Sequence, residues 1–134
     1  MCVSINDAKI INYTPHDVVV VDENGNARET VPYSGYVARA EQAKKLAYFI
    51  NGIPVMKSTF SNPRVNEMAE DRKTIVSTME MTPPEDGVYY VVSLAFYNAV
   101  KEEGKRSVDD LLITSGAVRD AEGKVIGCTE FGVV

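Results

Sequence analysis

Residues 88–104, VYYVVSLAFYNAVKEEG, decide the fold. The stretch begins with five apolar residues in a row, a pattern typical of a strand buried on both faces. Ser93 is a favourable N-cap, apolar side chains then recur at helical spacing, and Gly104 fits the position just after a helix end. We therefore predict one main helix over about 93–103. A further strand at 111–114 would complete a strand–helix–strand crossover.

On the N-terminal side, two Asn-Gly pairs predict tight hairpin turns, because both residues accept the positive φ angles that such turns need. They are Asn24-Gly25 and Asn51-Gly52. Each pair is flanked by runs rich in β-branched and aromatic residues. The strands predicted in this part of the chain cover residues 9–13, 17–22, 27–33, 36–39, 45–50, 53–60 and 74–81.

Two segments complete the prediction. Residues 61–73 are polar and predict a loop or one short helical turn, and residues 117–134 predict a closing hairpin. No repeat or long linker divides the chain, so residues 1–134 are expected to form a single domain. The predicted fold class is α+β, with a mostly antiparallel β-sheet, several hairpins and the one main helix.

The composition is that of an ordinary globular domain with an acidic balance. The 134 residues are 45% hydrophobic and 25% charged, and the formal net charge is −5. A nucleic-acid-binding domain normally carries a basic face, which this composition disfavours. We therefore expect no nucleic-acid partner, whereas a pocket with one or two cations for a small anion stays open.

The cysteines and the hydropathy predict a reduced, cytoplasmic protein. Cys2 and Cys128 are far apart, no CxxC pair occurs, and His16 is not spaced near either cysteine, so a zinc site is not expected. A disulfide between the two has no support beyond the even count. We expect no signal peptide, no membrane-spanning segment, no metal and no cofactor.

The hexapeptide NYTPHD, residues 12–17, interrupts two strand-like runs and holds the single histidine. Pro15 biases Thr14 toward extended geometry, fixes its own φ and offers no N–H, so the strand must stop there. Two interpretations are open. Either Thr14 and His16 only bond neighbouring backbone groups, or the stiff corner presents them to a ligand.

Three other positions carry polar groups at turns. Ser34 and Gly35 lie in a PYSG turn. Either its N–H groups and the Ser34 hydroxyl bind an anion, or the segment is only a turn. Ser93 at a helix N-terminus is an anion site or only a cap. The Arg119 guanidinium is a candidate for two-point binding of a phosphate or a carboxylate, and Asp120 would orient it or accept a hydrogen bond from a ribose hydroxyl. Repeated Arg-Asp pairs at 106–110 and 119–120 are otherwise expected to be weak surface ion pairs.

Four stretches, read together, resemble a family of small proteins from bacteriophages and bacterial genomes, many of them without an assigned activity. The stretches are NYTPHDVVVVDENG (12–25), VPYSG (31–35), VYYVVSLAFYNAV (88–100) and DLLITSGAVRDAEGKVIG (110–127). The shared pattern is N-x-T-P-H, a P-x-S-G turn, an apolar strand leading into a Ser-led helix, and V-R-D-x-x-G-x-x-x-G. Tyr13 stands where an aliphatic residue is commoner, and residues 41–81 are poorly covered. The resemblance implies a phage or prophage origin and brings no catalytic mechanism.

Three functions fit these features. The first is a phage-type protein that binds, and thereby sequesters, a nucleotide-derived host immune signal such as an ADP-ribose-like molecule or a cyclic nucleotide. The second is an enzyme that hydrolyses such a nucleotide with His16 as general base. The third is a protein–protein inhibitor or minor virion component that presents an exposed strand edge, and edges of this kind also predict a homo-oligomer.

The first hypothesis makes a geometric prediction. The side chains of His16 and Arg119 should face one concave pocket, with Ser93 or Ser34 nearby. No catalytic residue is assigned. The candidate ligand-binding residues are Thr14, His16, Ser34, Gly35, Ser93, Arg119 and Asp120.

Overall fold

The computed structural model describes residues 4–22 and 24–134, which form two β-sheets and a single α-helix. A β-rich α+β fold is therefore confirmed for the described residues. The helix is α1, Leu94–Glu103. The strands are β1 Lys9–Asn12, β2 Val18–Val21, β3 Ala27–Val31, β4 Tyr36–Ile50, β5 Ile53–Met68, β6 Ile75–Met79, β7 Val88–Val91, β8 Leu111–Arg119 and β9 Val125–Gly132.

The helix begins and ends at the predicted residues. The Ser93 hydroxyl accepts a hydrogen bond from the backbone N–H of Phe96 at 3.2 Å, which satisfies one of the free donors of the first turn. Gly104 has a φ of 70°, and its N–H donates to the carbonyl of Val100. Because β7 and β8 pair in parallel on either side of the helix, the predicted crossover is confirmed.

The larger sheet has six strands in the order β1-β7-β8-β9-β2-β3. This sheet is mixed rather than mostly antiparallel, because β1–β7, β7–β8 and β2–β9 are parallel while β2–β3 and β8–β9 are antiparallel. The predicted hairpins supply the antiparallel pairs. The parallel pairs join strands distant in sequence, and local patterns do not report on such pairings.

The smaller sheet is antiparallel and consists of β4, β5 and β6. Asn51 and Gly52 form the predicted turn between β4 and β5, with φ angles of 51° and 76°. However, β4 is one continuous strand, and residues 61–68, expected to be a loop or helical turn, continue β5. The sequence did not predict this part of the strand, because residues 61–68 are mostly polar and lack a regular apolar pattern.

A tight turn at residues 69–74 joins β5 to β6. The Asp71 carboxylate accepts hydrogen bonds from the Thr74 hydroxyl and from the backbone N–H groups of Thr74 and Lys73. These bonds favour the ionised form, the hydroxyl contributing most, and they lower the pKa of Asp71 to about 2. The last part of the segment predicted as loop is therefore an ordered Asp-centred turn.

The core lies where α1 meets both sheets. Phe96 and Leu111 are fully buried, and Val65 of β5 packs in the same cluster. Burying one such side chain contributes about 1.5–3 kcal/mol relative to leaving it exposed. This cluster holds the two sheets to one helix.

Beyond the helix, β4 and β5 continue as a two-stranded ribbon. We call residues 41–62 the arm. All of its side chains are exposed except Val55 and Phe60, which are half-buried. The arm is therefore held only by its own cross-strand pairs and its turn.

At Gly127, β9 passes close to the backbone of β2. A Cβ at this position would lie 2.8 Å from the carbonyl oxygen of Val19 and 3.2 Å from a methyl of Val21. We expect Gly127→Ala to lower the free energy of unfolding by about 1–3 kcal/mol, because the contact is with backbone that must shift. Urea denaturation followed by circular dichroism would measure it. Thr129→Ala, an exposed change in the same strand, should stay within about 0.5 kcal/mol of the unchanged protein, and an equal loss in both would contradict this account.

Candidate functional site

The hexapeptide at residues 12–17 forms a corner built around the side chain of Asn12, which is 1% exposed. Its Nδ2 donates to the carbonyls of His16 at 2.7 Å and Val31 at 3.1 Å. Its Oδ1 accepts from the backbone N–H of Thr14 at 2.8 Å and from the Thr14 hydroxyl at 2.6 Å. One buried amide therefore ties both sides of the Pro15 bend together. We call residues 12–17 the corner.

The PYSG turn is bonded to the corner. The Ser34 hydroxyl donates to the carbonyl of Asn12, and the Asp17 carboxylate accepts from the backbone N–H of Tyr33 at 2.8 Å. The hydroxyls of Thr14 and Ser34 are thus both engaged within the protein. For these two residues, the interpretation in which side chains bond neighbouring backbone groups describes the observed geometry.

One side chain of the corner points into the core. The Tyr13 ring lies 4.8 Å from the Tyr90 ring and 6.1 Å from the Tyr36 ring, measured between centroids. Burial is the main cause that raises the pKa of the Tyr13 hydroxyl, with smaller contributions from the neighbouring tyrosines Tyr90 and Tyr36. His16, by contrast, is exposed. The corner is therefore anchored on its inner side by aromatic packing and presents its histidine outward.

On the outer side of the corner lies a cleft of about 700 Å³ between β2 and the β8–β9 hairpin. We call it the corner cleft. Its walls combine apolar side chains, hydroxyls, the Asp17 carboxylate and two groups that can carry positive charge, His16 and Lys124. The lining residues are Thr14, His16, Asp17, Val18, Val19, Thr114, Ser115, Gly116, Ala117, Lys124, Val125, Ile126, Gly127 and Cys128.

Arg119 and Asp120 shape the turn of the β8–β9 hairpin. The Arg119 guanidinium donates to the carbonyl of Gly123 at 2.7 Å. The Asp120 carboxylate accepts from the backbone N–H groups of Glu122 at 2.9 Å and Lys124 at 3.0 Å. Neither residue is among those that line the corner cleft. The side chains of this Arg-Asp pair thus serve the turn that places Lys124.

The structure brings together only part of the predicted constellation. Thr14 and His16 share the corner cleft, whereas Ser93 caps α1 and Ser34 bonds to the corner backbone. The expectation that His16 and Arg119 face one pocket with Ser93 or Ser34 is therefore not met by the geometry. The reason is local. Arg119 and Ser34 donate to nearby backbone carbonyls and Ser93 accepts from a helix N–H group, and such backbone partners cannot be identified from the sequence.

Sequence reasoning missed Asn12 and Lys124. The signal for Asn12 was available, since an asparagine two residues before a threonine and a proline is a typical Asx turn. Lys124 gave no such signal, because a lysine in a turn is usually solvated. Only the pairing of β9 with β2 places it beside the corner.

Arg106 and Asp110 form a buried, two-pronged ion pair, so the expectation of weak surface pairing is wrong for these residues. The guanidinium donates to both carboxylate oxygens, at 2.7 and 2.6 Å. The side chains are only 11% and 9% exposed. The guanidinium also donates to the carbonyls of Thr82 and Ser107, each at 2.8 Å. The pair thus fastens the loop before β8 to the segment before β7.

A second, smaller cleft of about 320 Å³ lies beside this ion pair. Prolines and apolar side chains supply much of its wall, and its charges are mixed, with Arg64 lying 3.8 Å from Glu80. Positive and negative side chains compensate each other there. Opposite charges thus meet in both clefts, and the corner cleft is distinguished by its larger volume.

Catalysis and metal binding both need reactive side chains that lie close together. Cys128 lines the corner cleft with His16, but its thiol is buried and lies 3.7 Å from the carbonyl of Val19, to which it donates. Cys2 lies outside the described residues. Within residues 4–22 and 24–134, no group of three or more His, Cys, Asp or Glu side chains is placed to hold a metal ion.

Comparisons with protein family models, with curated proteins and with solved structures find no match to this chain. The resemblance to phage proteins therefore stays a prediction, and the functional argument depends on the geometry of the corner cleft. Among the described residues, the single helix is too short to cross a membrane.

Proposed function

We propose that the protein binds a small anionic ligand of the nucleotide class in the corner cleft. The observation that carries the proposal is the meeting of His16 and Lys124 over walls that are largely apolar. A volume of about 700 Å³ lies within the usual range of about 300–1,000 Å³ for small-molecule sites. A ligand with an aromatic base and a phosphate matches this combination of surfaces.

Each part of such a ligand has a partner of suitable chemistry. The Lys124 ammonium would attract the phosphate, and the His16 ring would donate a hydrogen bond to it. The Thr114 hydroxyl would bond ribose or phosphate oxygens, and Val19 and Ile126 offer apolar surface to a base. In this arrangement Lys124 takes the phosphate role that the sequence suggested for Arg119, whose guanidinium is engaged by Gly123.

Binding without turnover is the form of the proposal that the site favours. General-base catalysis by His16 needs an orienting partner, and the corner holds that residue through its backbone carbonyl instead. The Cys128 thiol is directed to Val19 rather than to His16. The more specific hypothesis, sequestration of a nucleotide-derived host signal by a phage-encoded protein of the host cytoplasm, rests on the resemblance and is tested by the same experiment.

The experiment begins with release of bound small molecules. The purified protein is incubated with a cell nucleotide extract, washed, denatured and analysed by mass spectrometry. Recovery of an intact nucleotide supports binding, and recovery of a cleaved one supports the hydrolase alternative. If nothing is released, and titration calorimetry with ADP-ribose and with a cyclic nucleotide shows no heat of binding, the proposal is wrong.

Lys124→Ala separates this proposal from the earlier assignment of Arg119. We expect Lys124→Ala to weaken the affinity for the released nucleotide by about tenfold, the effect of about 1.4 kcal/mol lost with a charge-assisted hydrogen bond. Arg119→Ala should change the affinity less, and both variants should melt near the temperature of the unchanged protein. Titration calorimetry measures both. A larger loss for Arg119→Ala would return the phosphate role to that residue.

The arm favours a second candidate function, that of an inhibitor or minor virion component acting through protein contacts. Its two strands leave the body of the molecule with large apolar side chains exposed. Large exposed apolar surfaces are rare on monomeric proteins and usually mark interaction sites. This role and ligand binding use separate parts of the chain, and the two are compatible.

A further inference from the structure

The tip of the arm exposes six large apolar side chains. Phe49 and Ile53 are 62% and 64% exposed, and the others are Leu46, Tyr48, Ile50 and Met56. Together they present on the order of 600 Å² of surface, divided between the two faces of the ribbon, where a standard interface takes roughly 800 Å² from each partner. This total lies at the upper end of the apolar patches that monomeric proteins expose, and patches of that size are often functional.

The strand register places apolar side chains on both faces of the tip. Ile50 pairs with Ile53 and Tyr48 pairs with Val55, whereas the alternate pairs are Phe49 with Pro54 and Leu46 with Met56. Paired residues share a face and successive pairs alternate between faces. Neither face of the tip is therefore adapted to water.

Behind the tip the arm is basic, whereas the rest of the molecule is acidic. Lys45 lies directly opposite Lys57, a like-charge pair that destabilises an isolated hairpin. Residues 41–62 hold three lysines and one glutamate, which leaves 11 of the 14 basic and 18 of the 19 acidic residues elsewhere. Two arms would repel each other, while an arm and the body of another copy attract.

The body offers a surface of matching chemistry at β6, the edge strand of the smaller sheet. Ile75, Val76 and Met79 are exposed there, and we call them the β6 surface. Residues 67–86 around it carry six acidic and two basic residues. An exposed apolar edge strand with acidic neighbours suits a basic, apolar-tipped ribbon.

The arm cannot cover the β6 surface of its own chain. The apolar tip ends at Met56 on β5, nine residues before Val65, where pairing with β6 is first recorded. Nine residues of strand span about 30 Å. An arm that reaches the β6 surface must therefore belong to another molecule.

We propose that the arm of one copy docks its apolar tip on the β6 surface of a second copy of this chain. The lysines behind the tip then lie against the acidic residues of the second copy, which relieves the Lys45–Lys57 repulsion. Because the two patches differ, two copies either exchange arms in a two-fold dimer that makes the contact twice, or associate head-to-tail into a ring or a filament. This inference is independent of ligand binding in the corner cleft.

Sedimentation equilibrium on the full chain tests the inference. We expect the unchanged protein to associate at micromolar concentration, with weaker association at high salt. The double variant Phe49→Ser with Ile53→Ser, and separately Val76→Lys, should each raise the dissociation constant at least about tenfold, because each removes apolar contact worth more than about 1.4 kcal/mol. Lys45→Glu should also weaken association. The control Ser58→Ala should leave it unchanged.

Cysteine pairing tests which surfaces meet. Chains carrying Ile53→Cys are mixed with chains carrying Val76→Cys, both with Cys2→Ser, and oxidised. We expect cross-links between the two kinds of chain. A protein that is monomeric at about 100 μM overturns the inference, given that standard interfaces bind far more tightly. So does association that survives the Phe49 and Ile53 changes, or association that is lost with them but is insensitive to Val76→Lys and gives no mixed cross-link, since that pattern indicates arm-to-arm contact or another partner surface.

Discussion

Asp110→Ala is expected to lower the free energy of unfolding by about 3–5 kcal/mol. The change leaves the buried Arg106 guanidinium without its two carboxylate bonds of 2.7 and 2.6 Å. The carbonyls of Thr82 and Ser107 remain as acceptors, but they carry no compensating charge. A loss of this size is a large part of the 5–15 kcal/mol that stabilises a typical domain. Chemical denaturation followed by circular dichroism measures it.

Two companion variants show whether burial of the pair is the cause. Asp109→Ala changes the exposed neighbouring acid and should shift the free energy of unfolding by no more than about 0.5 kcal/mol. Replacing both partners, Arg106→Leu with Asp110→Leu, should recover much of the stability lost in Asp110→Ala, because no charge is then left buried and unpaired. Equal small effects of Asp109→Ala and Asp110→Ala would mean that the pair behaves as a surface pair after all.

Asn12→Ala is expected to cost about 2–4 kcal/mol, since several buried polar groups lose their partner at once. The carbonyls of His16 and Val31 lose a donor, and the backbone N–H and hydroxyl of Thr14 lose an acceptor. The bend at Pro15 would then no longer be fixed, and we expect the corner cleft to lose its shape as well. Thermal and urea denaturation give the stability.

Two changes test the role of the Asn12 amide. Asn12→Asp keeps an acceptor for Thr14 but places a second oxygen against the carbonyls of His16 and Val31, so it should be at least as harmful at neutral pH. Asn26→Ala removes an exposed asparagine from the β2–β3 turn and should cost no more than about 0.5 kcal/mol. A stable Asn12→Ala variant with unchanged ligand affinity would show that Pro15 alone fixes the corner.

The parts of the fold that depend on neighbours in sequence could be predicted. The helix needs an N-cap, a periodic apolar pattern and a glycine in the left-handed conformation at its end, and residues 93–104 contain all three. The Asn51-Gly52 turn is likewise a local matter of φ angles. The sequence did not show how far β4 and β5 continue. The strands of the arm pair only with each other and have no buried face, so they lack the apolar alternation that marks a strand.

The candidate site was predicted only in part, for a similar reason. Pro15 and His16 predicted a corner, and the structure has one. The residues that form the opposite wall of the cleft, however, come from β8, β9 and the turn between them. Arg119 and Asp120 were the more conspicuous residues of that hairpin. Their side chains bond to the turn itself, and the neighbouring Lys124 lines the cleft instead. Whether Thr14, His16 and Lys124 bind a ligand stays a prediction.

The pairing of Val20 with Cys128 has a consequence for the order in which the protein is made. The corner leaves the ribosome early in synthesis, yet β9, the strand that completes the sheet beside it, is translated more than a hundred residues later. Until then β2 and β3 form a lone hairpin with an open edge, and such hairpins are barely stable alone. Closing so long a loop is slow compared with forming the helix. The nascent chain therefore spends most of its synthesis with β2 unprotected, a period in which chaperones, or the β2 edges of other nascent chains, compete with β9 for the same strand.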